Sequence, residues 1–219
     1  RLDKQSKVKW THSSLAHHDL DIDKRGDIYL LERTARVVEW LHPERPVLDD
    51  VVVVLGDDGQ VKKSVSLLQC IENSSEGKRI AKLLQRRIES GLKKEKDYLE
   101  ENAEKVAADP EGYAKLDLIG DIFHTNTIQW LDGSQVEVLP AFAEGRVLLC
   151  VRNLKLVLVL DLETEEVVWS LSGRWRGQHE TILLDTGRIL MFDNQGPRVR
   201  KMPRRSEVLE LDPVTEEIV

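Results

Sequence analysis

Three histidines stand at the start of short apolar segments, each of which is followed by a glycine-bearing turn and a second apolar segment. They are His18, His124 and His179. His18 and His179 each precede the turn glycine, Gly26 and Gly187 respectively, by eight residues. A neutral imidazole is a nucleophile and a proton carrier near physiological pH. The recurring histidine therefore indicates a site built from repeated elements.

A second recurring position carries groups that bind anions. The residue seven places beyond each turn glycine is, in chain order, Arg33, Arg152 and Asn194. Asn126, two residues after His124, is a further amide, and Asn126 and Asn194 could either hold an anion or fix an imidazole tautomer. Guanidinium groups donate charge-assisted hydrogen bonds to oxyanions. Because no carboxylate stands in the same register, we predict a site for an anion with several oxygens.

The composition limits the class of partner. The chain has 219 residues, a formal net charge of −7 and a pI near 5.5, which argues against a nucleic-acid partner. The two cysteines, Cys70 and Cys150, give neither a disulfide framework nor a metal-binding spacing. No apolar stretch is long enough to span a bilayer. Since the sequence starts without Met and stops within an apolar strand pattern, we interpret it as an internal piece of a longer protein.

Short β-branched segments bounded by Gly, Asp and Pro predict four-stranded antiparallel units. We expect three units, at about 17–67, 119–173 and 177–219, with a Pro-bearing loop at 42–46 in the first. Four-stranded meanders repeated head to tail are typical of β-propeller blades. The sequence therefore predicts an all-β fold of about three blades. Because a propeller closes with about four to eight blades, these would be part of a larger ring.

The segment 74–116 breaks the β pattern. Ile80, Leu84 and Ile88 recur at helical spacing, with charged residues between them. A second helical run ends before Pro110. We predict a helical insertion between the first two β units, and we interpret its dense charges as a solvated face.

In a propeller the innermost strands of successive blades line a common channel, so the three histidines and Arg152 are expected to converge there. His17 should point to the opposite face from His18, because side chains alternate along a strand. The residues alone leave two other interpretations open. The histidines could be structural, in a non-catalytic scaffold that binds a ligand or a protein partner. They could also bind a metal, although the nearby guanidinium group disfavours a cation and we predict no metal.

Several segments resemble the arylsulfotransferase (aryl-sulfate sulfotransferase) family. They are 17–19, 121–126, 151–153, 169–175, 177–179, 190–194 and 208–213. The resemblance covers roughly 10–67 and 119–219 and leaves the helical insertion out. It implies a six-bladed propeller. The implied activity is the transfer of a sulfuryl group from a phenolic sulfate ester to another phenol, without a nucleotide sulfate donor and without a cofactor.

The same resemblance implies roles for individual residues. His179 would carry the sulfuryl group transiently, and His18, His124 and Arg152 would complete the catalytic set. The residues that would bind substrate are Asn126, Asn194 and Arg33. The family likeness leaves room for a homodimer and suggests a periplasmic or otherwise extracytoplasmic location. A membrane anchor would then lie only in an N-terminal part that precedes these residues.

Overall fold

The computed structural model describes residues 1–111, 119–195 and 205–219, and β structure predominates in it. The strands are β1 (Ala16–Ile22), β2 (Ile28–Val38), β3 (His42–Leu55), β4 (Val61–Ser66), β5 (Thr125–Trp130), β6 (Val147–Val151), β7 (Leu156–Asp161), β8 (Glu166–Ser172), β9 (Gln178–Leu183), β10 (Ile189–Asp193) and β11 (Glu207–Leu211). The helices are α1 (Leu67–Asn73), α2 (Gly77–Glu101) and α3 (Ala103–Ala108), with two short 3-10 turns, η1 (Pro140–Phe142) and η2 (Arg152–Leu154).

The strands form three antiparallel sheets in which chain neighbours pair. The sheet orders are β1-β2-β3-β4, β5-β6-β7-β8 and β11-β10-β9. In the third sheet the predicted fourth strand is reduced to a single bridge between Leu211 and Ile218. The predicted predominance of antiparallel β structure is confirmed, whereas the closed ring of blades stays a prediction.

The first strands of the three sheets are edge strands that lie side by side. Side chains of one sheet satisfy the free backbone groups of the next: Asp19 accepts from the Ile128 N–H at 3.1 Å, and Asp21 accepts from the Trp130 N–H at 2.7 Å. Gln129 bonds the backbone of β9 in the same way. Unpaired edge groups need such partners. These contacts advance in the same order along each strand, so β1, β5 and β9 run in the same direction. Their N-terminal ends therefore lie at one end of the sheets.

The β2–β3 hairpin is longer than predicted. The segment 42–46, expected to be a loop, belongs to β3, and Pro46 pairs with Val37. The register shifts between Val37 and Val38. A proline is tolerated in a strand at such an irregularity, where its missing N–H breaks no regular ladder. The prediction of a loop there was therefore wrong.

Helices occupy the chain between β4 and β5, and α2 buries the predicted stripe of Ile80, Leu84 and Ile88. Helix α1 was not predicted, and the helical segment therefore begins before residue 74; Ser66 caps α1 by accepting from the Gln69 N–H at 3.0 Å. The final part of the predicted insertion, 112–116, lies outside the described residues. Helices α1 and α2 share one apolar core with the first two sheets. Across the described ranges, no helix is both long enough and apolar enough to cross a bilayer.

Candidate functional site

His18 lies at an irregularity in strand β1. Its φ is 59°, in the left-handed region, and the pairing of β1 with β2 shifts register between Ala16 and Leu20. Such a bulge re-aims the side chains on either side of it. Consequently His17 and His18 do not diverge as strand alternation predicted: their Nδ1 atoms lie 2.8 Å apart. One imidazole must donate and the other accept.

His124 directly precedes β5 and also has a left-handed φ, of 52°. Its ring centroid lies 4.8 Å from that of His18, so two of the predicted histidines are in contact. On its other side, Nδ1 of His124 is hydrogen-bonded to the carboxylate of Asp121. Burial works to raise the pKa of Asp121. The hydrogen bond from His124 and the Arg33 charge outweigh that effect, and the pKa lies below its ordinary value. Asp121 is therefore the acceptor and His124 the donor.

Two carboxylates lie inside the cluster, although none stands in the register of the histidines and arginines. Asp50 is 2% exposed, accepts from the Thr125 N–H at 2.8 Å and pairs with Nε of Arg33 at 3.2 Å. Arg33 also reaches Asp121, at 3.5 Å from its Nη2. Counting positions along the first strands could not find these groups, because Asp50 belongs to β3 and Asp121 to the segment before β5. The charge of Arg33 is thus already compensated.

The surroundings of His18 favour its neutral form. Its pKa is lowered first by partial burial, then by the charges of His124, His17 and Arg33, while Asp50 opposes these effects. A lowered pKa leaves the imidazole uncharged at neutral pH. His18 is therefore a hydrogen-bonding group rather than a fixed cation.

Arg152 is the first residue of η2, directly after β6. Lys155 closes this tight turn at a left-handed φ of 53°, and its N–H bonds the Arg152 carbonyl at 3.2 Å. The Arg152 N–H donates to the His124 carbonyl at 3.3 Å, which fixes the two residues side by side. Nη1 bonds Asn153 at 3.2 Å, and Nε is buried without a hydrogen-bond partner. In the part of the chain that the structure describes, no carboxylate forms an ion pair with Arg152.

His179 lies in β9 opposite Phe192, with its imidazole partly buried. Its Nδ1 is 2.8 Å from the Gly177 carbonyl oxygen, which can only accept, so this bond forms in the tautomer that has the proton on Nδ1. Asn194, after β10, donates to the same carbonyl at 3.0 Å and lies 3.0 Å from Nδ1. A hydrogen bond from Asn194 to Nδ1 would require the opposite tautomer, and we assign the proton to Nδ1 because its contact with Gly177 is the shorter one. In this tautomer the lone pair lies on Nε2.

A side-chain hydrogen bond links the chain neighbours of His179 and Arg152. The Gln178 side chain donates to the Val151 carbonyl at 3.1 Å, so the residue before His179 is bonded to the residue before Arg152. Asn126 is buried and donates to the Gln178 carbonyl at 2.8 Å, which makes it a link between β5 and β9.

The predicted residues thus fall into two groups. The first contains His18, His124, Arg33 and Arg152, and the second contains His179 and Asn194. Among residues 1–111, 119–195 and 205–219, no hydrogen bond or ring contact joins an imidazole of one group to an imidazole of the other. Both groups nevertheless lie at the same end of the neighbouring strands β1, β5 and β9.

Three charged residues at this end were not predicted from the sequence. Asp121 stands three residues before His124, a spacing that could have suggested a carboxylate–imidazole pair. Asp50 lies in β3 and reaches the cluster only in the folded structure, and its spacing in the sequence gives no signal of a site. Arg87 of α2 donates to the Asp121 carbonyl at 2.9 Å, although its helix was interpreted as a solvated face.

Other chemistries receive little support from the described residues. They contain no group of three or more histidine, cysteine or carboxylate ligands arranged for a metal ion. Cys150 is fully buried, and desolvation raises the pKa of its thiol to about 12, so it is not a ready nucleophile.

Fold and site together define a mostly β protein in which imidazole and guanidinium groups gather at one end of three edge strands, an arrangement suited to an oxyanion. A family model described as Arylsulfotransferase (ASST) matches residues 3–219, so the chain belongs to the arylsulfotransferase family. The match confirms the predicted family and extends across the helical segment that the resemblance had left out. Comparison with curated proteins and with solved structures gave no match. The family supports an aryl sulfotransferase in general terms.

Proposed function

We propose that the protein is a nucleotide-independent aryl sulfotransferase. It would move a sulfuryl group from a phenolic sulfate ester to a phenolic acceptor through a sulfohistidine at His179. The observation that carries this proposal is the 2.8 Å contact between Nδ1 of His179 and the Gly177 carbonyl: in the tautomer that donates this bond, the lone pair lies on Nε2. A neutral imidazole held in this tautomer is a competent nucleophile.

In the first half-reaction Nε2 of His179 attacks the sulfur atom, and the bond between sulfur and the aryl oxygen breaks. Negative charge grows on the leaving oxygen, while the oxygens of the sulfuryl group must be held. Preorganised cationic donors stabilise such charge, as they do in phosphoryl transfer. Arg152 suits this role because its guanidinium group has no carboxylate partner among the described residues, whereas Arg33 is paired with Asp50 and Asp121.

The leaving phenolate needs a proton, and we assign its donor as His124. Asp121 accepts from Nδ1 of His124 and orients the ring, so His124 enters this step as an imidazolium and gives up its second proton, the one on Nε2. The lowered pKa of His18 makes it less suited to deliver a proton. In the second half-reaction His124 takes the proton of the acceptor phenol. The phenol oxygen attacks sulfur, the bond between nitrogen and sulfur breaks, and His179 is restored.

The geometry required for this mechanism is that of a propeller. We propose that the three sheets are blades, at about 17–67, 119–173 and 177–219, with β1, β5 and β9 as innermost strands. The helical segment 74–116 would be an insertion between two of them. Support comes from the common direction of these strands and from the side-chain bonds that join each to the next. His179 would then face the same channel as His18 and His124.

A transfer assay from phenyl sulfate to a second phenol tests the function. Purified full-length protein should transfer without nucleotide, and His179→Ala should abolish turnover. His42→Asn is the matched control: within the described ranges His42 bonds only local backbone N–H groups at the start of β3, and asparagine can accept the same bonds. Binding of phenols or aryl sulfates without transfer would favour a non-catalytic scaffold. Transfer by His179→Ala at the wild-type rate would remove His179 from its role.

A further inference from the structure

A second guanidinium group reaches the candidate site from the helical segment. Arg87 lies on α2, and its Nη2 donates to the backbone oxygen of Asp121 at 2.9 Å. The same oxygen accepts from Nδ2 of Asn153 at 2.8 Å, the residue that follows Arg152. Helix α2 also packs against η2, the turn that begins with Arg152. The helix therefore brings Arg87 to the same short segment that carries Arg152.

The two guanidinium groups are near enough for their charges to interact. The pKa of Arg87 is lowered by burial, and although Asp121 opposes this effect, the positive charge of Arg152 lowers the pKa further. Two like charges in a partly buried space repel each other, and an anion bound between them would offset this repulsion. The carboxylate of Asp121 does not serve as that anion by direct contact, since its oxygens bond His124 and Arg33.

Both arginines also carry an unsatisfied donor. Nε of Arg87 and Nε of Arg152 are buried, and neither has a hydrogen-bond partner in the described structure. Buried polar groups in native proteins are nearly always bonded, and the exceptions are often functional. A bound oxyanion would supply the acceptors that these donors lack.

The charge count favours an anionic ligand. Around Asp121 the guanidinium groups of Arg33, Arg87 and Arg152 contribute +3, and Asp50 and Asp121 contribute −2, so +3 − 2 leaves +1. A His124 that carries the proton for the leaving group adds one further positive charge, so a bound anion improves the balance in either state. A sulfate ester of a phenol carries one negative charge, spread over the oxygens that a guanidinium fork matches.

We propose that Arg87 is a further anion-binding residue, which forms a clamp with Arg152 on the sulfuryl oxygens of the substrate. The helical segment would thus supply a substrate-binding group from outside the sheets. The identity of the substrate rests on the proposed function, whereas the presence of a two-arginine oxyanion site does not.

Calorimetric titration of the full-length protein with inorganic sulfate tests the clamp independently of catalysis. The variants are Arg87→Gln, Arg87→Lys and the control Arg86→Gln, which removes a neighbouring exposed charge on α2. We expect Arg87→Gln to weaken sulfate binding about tenfold or more, because one charge-assisted hydrogen-bonding partner is lost. Arg87→Lys should fall between, since it keeps the charge without the fork. Arg86→Gln should bind as the wild type does.

Each outcome decides a separate claim. Wild-type protein that binds no sulfate, or Arg87→Gln that binds it unchanged, overturns the clamp. If Arg87→Gln does not fold, Arg87→Lys carries the test, and unchanged sulfate binding by that variant has the same meaning. Arg87-dependent sulfate binding without sulfuryl transfer supports the clamp and removes the proposed function. The last outcome is a protein that transfers sulfuryl groups but whose sulfate binding and KM for phenyl sulfate are both unchanged by substitution of Arg87. This result would support the function and exclude the clamp.

Discussion

The imidazole of His124 is held by the carboxylate of Asp121, three residues before it in the chain. Arg33 lies 3.5 Å from the same carboxylate and helps to keep its pKa below the ordinary value. The carboxylate thus stays ionised, fixes the tautomer of His124 and leaves Nε2 for proton exchange. In the proposed mechanism this pair gives a proton to the leaving phenolate and takes one from the acceptor phenol.

Replacement of Asp121 should therefore impair catalysis more than folding. We expect Asp121→Asn to lower the rate of transfer roughly 100-fold, because the ring of His124 loses its charged, orienting partner. Steady-state transfer from phenyl sulfate measures the effect, and the pH profile should change with it. Asp132→Asn is the control, since Asp132 is a partly exposed carboxylate paired with Lys24. A wild-type rate and pH profile in Asp121→Asn would exclude the assigned proton carrier.

Asn194 should support His179 without being essential. Its Nδ2 bonds the Gly177 carbonyl that holds the imidazole. Asn194→Ala should slow transfer by roughly 5- to 10-fold, the effect of one neutral hydrogen bond. Gln195→Ala is the matched control, because Gln195 bonds carboxylates rather than His179. A loss in Gln195→Ala as large as that in Asn194→Ala would point to the β10 end in general and contradict a specific role for Asn194.

The lowered pKa of His18 makes stability depend on pH. The unfolded chain protonates this histidine near its ordinary pKa of about 6.5, and the folded chain protonates it only at lower pH. Between these values the unfolded state binds more protons, so the contribution of His18 is complete above about pH 6.5 and is lost as the pH falls through the lowered pKa. Urea unfolding at about pH 7.5 and 5.5 should show this loss, and His18→Gln should reduce it. An equal loss in His18→Gln would assign the dependence to other groups.

Asp50 should matter most for stability. It is almost fully buried, pairs with Arg33 and accepts from the Thr125 N–H. Asp50→Ala leaves a partly buried guanidinium group without this partner, and we expect the free energy of unfolding to fall by about 3–5 kcal/mol. The control is Lys63→Gln, which breaks an ion pair to the exposed Glu163 and should change it by less than about 1 kcal/mol. Similar small effects from both variants would contradict a structural role for the Asp50 pair.

The elements of the fold were largely predictable because their signals are local. Alternating or continuous apolar runs between turn residues located the strands, and the stripe of Ile80, Leu84 and Ile88 located α2. The start of β3 was missed, because Pro43 and Pro46 normally indicate a loop and are tolerated only at the register shift. Helix α1 was missed because a short apolar run fits a strand as well as a helix.

The site was predictable only in part. Repetition along the chain brought out His18 and His124, whose rings the structure places in contact. The contact between His17 and His18 depends on the left-handed backbone conformation of His18, which the alternation of side chains along a strand does not predict. Asp50 and Arg87 come from β3 and α2, elements outside the repeated first strands, so only the three-dimensional arrangement brings them to the histidines.

The central claim is that a sulfuryl group is carried on Nε2 of His179. The most direct measurement is mass spectrometry of the protein after brief reaction with phenyl sulfate in the absence of an acceptor, with fragmentation to locate the modified residue. The account predicts one sulfuryl group on His179, its disappearance when phenol is added, and no modification in His179→Ala. A sulfuryl group on another residue, or rapid transfer with no modified protein at any time, would contradict it.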